Sequence, residues 1–63
     1  MIKLAHSTPV IKLEKVKIGD NVIDEYQSQG KVMRITRSLK KGIVEFIFHL
    51  DNKQTVFIMS KAI

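Results

Sequence analysis

"IVEFIFHLDNKQTVFI", residues 43–58, decides the fold. Successive side chains of an extended chain point to opposite faces, so Val44, Phe46, Phe48 and Leu50 share one side and Ile43, Glu45, Ile47 and His49 the other. The run is rich in β-branched and aromatic residues, which pack well on a pleated surface, and it reads as a central strand. "LDNKQ" interrupts it, with Asp51 and Asn52 expected to supply the positive φ of a tight turn, and Thr55 to Ile58 reads as the returning strand. The pair is a β-hairpin.

Moving towards the N-terminus, "SLKKG" is expected to turn the chain, Gly42 supplying the unusual dihedral angles. Gly30 to Arg37 carries Val32, Met33 and Ile35, an imperfect alternation that predicts a strand with a bulge or strong twist just after Gly30. Asn21 to Tyr26 reads as a further strand, with Val22, Asp24 and Tyr26 on one side and Ile23 and Glu25 on the other. A turn at Gly19 and Asp20 precedes it, and "QSQG" is its loop. Pro9 excludes a continuous helix through the first eighteen residues. There "VIKLEKVKI" alternates well enough for an additional strand, with a short amphipathic helix as the alternative, so residues 1–14 are expected to be an extra strand or an ordered arm. "MSKAI" at the end is long enough for one helical turn.

With 63 residues there is room for one domain and one core, and folding at this size buries only about 60% of the surface that the unfolded chain exposes. No Cys is present, which removes disulfides and thiolate metal ligands, so stability must come from core packing or from a homo-oligomer. Short strands in so small a chain are expected to curl and close, because closure removes the edges that would pair with other molecules. The expected fold is all-β: a single SH3-like barrel over residues 1–63, of about five antiparallel strands with a short C-terminal helical turn. An OB-like barrel is the alternative.

"KIGDNV", a polar loop, "GKVMRI" and then "KKGIVEF" resemble the pattern of KOW motifs, found in ribosomal proteins and transcription elongation factors. The matching residues are Gly19, Asp20, Val22, Gly30, Lys31, Val32 and Ile35, and they cover less than half of the chain. The resemblance implies an SH3-like barrel and an RNA-directed partner. In outline the chain is also similar to plasmid-encoded type II dihydrofolate reductases. Those carry a Gln among apolar residues and a Tyr just after in the active-site strand, where this chain has "TVFI".

Eleven Lys and Arg against six Asp and Glu give a formal net charge of +5. That balance favours polyanions or acidic protein surfaces as partners. Lys31, Arg34 and Arg37 recur along one expected strand, and Lys40 and Lys41 extend the charge into the turn, an array suited to phosphates. Tyr26 is the first candidate for a stacking platform and Phe57 the second, since Phe46 and Phe48 lie on the more apolar face. The simpler account is a solvated strand whose cations keep an edge from aggregating. A different class of function rests on Ile43, Ile47 and Phe57, which lie opposite Val44, Phe46 and Phe48. That face would serve an adaptor or inhibitor, of the regulatory or phage and mobile-element type, docking onto a larger protein through an edge strand.

Enzyme chemistry is not expected, nor a metal or cofactor. His6 and His49 share no metal-ligand spacing, Asp24 and Glu25 are adjacent in an expected strand and diverge, and the glycines match no phosphate-binding loop. No membrane is expected among the partners: "MIKLAHSTPV" holds no apolar run long enough for a signal peptide or a span, and with no Cys the expected compartment is the cytoplasm.

Overall fold

In the computed structural model, which describes residues 1–61, the chain runs β1 (Ile2–Lys3), α1 (Val10–Leu13), β2 (Asn21–Ile23), β3 (Gln29–Lys40), β4 (Ile43–Leu50) and β5 (Thr55–Lys61). All five strands lie in one sheet, in chain order. β4 and β5 form the expected hairpin, with Phe46 opposite Ile58 and Phe48 opposite Val56. Val44, Phe46, Phe48 and Leu50 are all buried, together with Val22, Val32, Val56 and Ile58. The Phe46 and Phe48 rings stack at 5.9 Å between centroids, inclined by 12°. Full burial of side chains of this size stabilises by about 1.5–3 kcal/mol each.

The sheet is not closed into a barrel. β1 pairs with β2 for only two residues, and parallel rather than antiparallel, before the chain leaves the sheet. Among the described residues no strand pairing joins β1 to β5, although His6, just past β1, meets the β5 edge at Met59. The open inner face is covered instead by Leu4, Leu13 and Val16, with Val10 packed alongside. "VIKLEKVKI" is accordingly not a strand but the four-residue helix α1 and an irregular continuation. Pro9, with φ −61°, sits at the helix start, where its missing N–H leaves no bond unmade. A helix this short does not persist alone, and burial of Leu13 against the sheet holds it in place.

Two other strand limits differ from expectation. β2 ends at Ile23, because Asp24 Oδ1 accepts from Tyr26 N–H at 2.9 Å and Ser28 N–H at 2.8 Å and folds the backbone into a turn. Asp24 and Glu25 therefore lie in a turn, not in a strand. At the other end of the chain Met59, Ser60 and Lys61 continue β5 rather than forming a helical turn. Ala62 and Ile63, the remainder of that expected turn, lie outside the described residues.

β3 has its bulge at Met33: Val32 faces Leu50 and the next register pair is Arg34 with His49. A bulge reverses which residues face the core. Beyond it Ile35, Arg37 and Leu39 take the inner side opposite Phe48, Phe46 and Val44, while Arg34, Thr36, Ser38 and Lys40 turn outward. The β3–β4 turn is tighter than "SLKKG", comprising Lys41 and Gly42 alone. Their φ values of 49° and 77° suit the two-residue hairpin turn with positive φ at both positions. In the β4–β5 turn the positive φ falls on Lys53, at 67°, and not on Asp51 or Asn52, whose side chains instead bond Lys31 N–H and Gln29 C=O.

Candidate nucleic-acid interface

The register of β3, β4 and β5 lays out the outward face in rows. Arg34, His49 and Thr55 form one, followed by Thr36, Ile47 and Phe57, then Ser38, Glu45 and Met59, and finally Lys40, Ile43 and Lys61. Neighbouring strands are about 4.8 Å apart, so Lys40 and Lys61 flank Ile43 at roughly 10 Å from each other. The face thus has an apolar middle, Ile47, Phe57 and Met59, with cations at both ends. Lys31 alternates with buried Val32 and is exposed beyond Arg34, and Lys41 is exposed in the turn beyond Lys40.

Arg37 does not join this array. It lies on the inner side, its guanidinium carbon 5.8 Å from the Phe46 ring centroid and one nitrogen 3.1 Å from Glu14 Oε1. The expectation that Lys31, Arg34 and Arg37 form one surface is corrected for Arg37: it follows Arg34 by three residues in a regular ladder and so takes the opposite face, while the extra residue at Met33 brings Lys31 and Arg34 to the same side. Tyr26 stands in the turn after β2, and is 76% exposed. It lines a small cleft with Phe57, His6 and Glu25 beside the β5 edge, so the two aromatic candidates are neighbours.

Ile43, Ile47 and Phe57 come together as expected, with Ile47 directly opposite Phe57. Met59 belongs with them and was hidden in sequence by the expected helical turn. Its two-residue spacing from Phe57 was the available signal. The edge of β5 is partly occupied: the Met59 N–H points away from β4 and donates to His6 Nδ1 at 3.4 Å.

Most carboxylates brace local structure. Asp20, Asp24, Glu25 and Asp51 each accept a backbone N–H, and Glu14 takes Arg37. Among the described residues Glu45 alone has no such partner, and Arg37 is the one cation in an ion pair. The remaining described Lys and Arg side chains are unpaired, and the chain keeps a positive field set by its net charge of +5.

Elsewhere, a cleft of about 510 Å³ between β1 and the β2–β3 turn is lined by Leu4, Ile23, Asp24 and Glu25, whose carboxylates already hold backbone groups. Among the described residues no three His, Asp or Glu side chains are placed to share a metal ion, and no helix is long and apolar enough to cross a membrane. No protein-family model matches the chain, and no significant match was found among curated proteins or solved structures.

Proposed function

We propose that this protein is a non-enzymatic nucleic-acid-binding domain that holds phosphates through Lys31, Arg34, Lys40, Lys41 and Lys61. One observation carries the reading: among the described residues Arg37 is the one cation in an ion pair, so Lys31, Arg34, Lys40, Lys41 and Lys61 have no carboxylate bound to them and are open to a partner's phosphates. Arg34 and Lys40 alternate outward with the inner-facing Ile35, Arg37 and Leu39, which gives phosphate contacts a rigid base. The turn at Gly19 and Asp20, the polar loop after β2 and the Gly-Lys-Val start of β3 further support an open, SH3-like module of the kind that KOW motifs form.

The test is binding of a fluorescently labelled oligonucleotide measured against salt. Affinity falls steeply as salt rises, and Arg34→Ala reduces the slope by close to one contact, roughly 0.7–0.9 in log–log terms. Absence of binding at low salt overturns the reading. The protein-binding adaptor or inhibitor is the second reading, favoured by exposed Phe57 and Ile43 with half-buried Ile47 on the same face. It requires a protein recovered from lysate after nuclease treatment and lost with Phe57→Ala.

A further inference from the structure

Resting on the nucleic-acid reading, we infer that the bound strand is single and crosses the outward face of β3, β4 and β5 with a base stacked on Phe57. A duplex keeps its base faces covered by their neighbours and presents phosphates and groove edges, so an apolar aromatic platform gains nothing from it. A single strand offers unstacked bases whose flat faces pack on aromatic rings, whatever their sequence. Phe57 is 44% exposed on a rigid antiparallel strand, between Ile47 across the ladder and Met59 two residues on. Arg34 lies one row away from Phe57 on one side, and Lys40 and Lys61 two rows away on the other. A polymer with a charge on every unit and an apolar face between charges matches cations at both ends of an apolar middle.

The nearby acidic groups set the path. Glu25 and Asp24 stand by Tyr26 beyond the β5 edge, both holding backbone N–H groups. They keep phosphates on the β3 and β4 side while leaving Tyr26 open to a second base. Glu45, between Ser38 and Met59, is the one carboxylate on the face itself, and Glu45→Gln tightens binding. Strand addition by a protein at the β5 edge would have to displace His6 from the Met59 N–H.

The experiment compares a single-stranded oligonucleotide of about ten units, within the roughly 4–16 that small barrels cover, with the duplex of the same sequence at one salt concentration. The single strand binds more tightly. Phe57→Ala weakens it roughly five- to hundred-fold without changing the salt slope. Leu39→Ala, which removes an exposed apolar side chain from the opposite face, leaves it unchanged. The chain has no Trp, so Phe57→Trp reports directly: it retains affinity and its emission is quenched on binding. A duplex bound as tightly as the single strand, or Phe57→Ala binding like the parent with Phe57→Trp unquenched, overturns the single-strand inference. Salt-dependent binding would then still stand. If neither nucleic acid binds at low salt, the function reading falls as well, as it does if an acidic protein alone occupies the Phe57 face.

Discussion

Arg37 reaches back from β3 to Glu14, nitrogen to oxygen at 3.1 Å, and so fastens the end of helix α1 to the strand it covers. The two side chains are 55% and 45% exposed, so water and salt screen the pair. Arg37→Ala is expected to cost about 1 kcal/mol or less, read from a urea titration. In oligonucleotide binding it flattens the salt slope less than Arg34→Ala does, because its charge is neutralised on the inner side.

Gly30 is needed for space. A Cβ there would lie 3.0 Å from Asp51 Oδ1 and 3.2 Å from Leu50 Cβ, where β3 passes the β4–β5 turn. Gly30→Ala pushes that turn away and weakens the Asp51 to Lys31 and Asn52 to Gln29 bonds. The expected loss is about 1–3 kcal/mol, measured by thermal or urea unfolding.

Lys41 holds a φ of 49°, a conformation that Asn adopts more readily than Lys, and Gly42 follows at 77°. Lys41→Asn makes the Asn-Gly pair that two-residue hairpins prefer. Unfolding shows a gain of up to about 1 kcal/mol, a size typical of well-matched backbone substitutions. Oligonucleotide binding weakens at the same time, since one cation is lost.

Phe48 is fully buried at the centre of the sheet. Phe48→Ala costs about 3–5 kcal/mol, as much as the single core of a domain this small supplies. The circular dichroism spectrum of this variant is that of an unfolded chain at room temperature. Phe57→Ala, nine positions along and on the outward side, keeps the parent spectrum.

The hairpin of β4 and β5 was legible because alternation of period two needs no partner to be recognised. Val44, Phe46, Phe48 and Leu50 are buried just as that period requires. Gly42 and the bulge were legible in kind, one from its lack of a side chain and the other from the broken pattern at Val32, Met33 and Ile35. The inward placement of Arg37 follows from the same period, since it stands three residues after Arg34 and so on the other face. The common side of Lys31 and Arg34 was not legible, because the inserted Met33 changes the parity between them.

The sequence by itself determined the β4–β5 hairpin, the strand before it with its bulge, and that cations outnumber acids, since these depend on composition or on residues close together in the chain. Tertiary structure decided what covers the inner face of the sheet, which acids brace the backbone and which cations stay unpaired. Val10 to Leu13 became helix rather than strand because Leu13 and Val16 bury their side chains on a sheet built by residues far downstream. That cover, with β1 pairing for only two residues, left the sheet open and its other face bare, from Arg34 across Phe57 to Lys61.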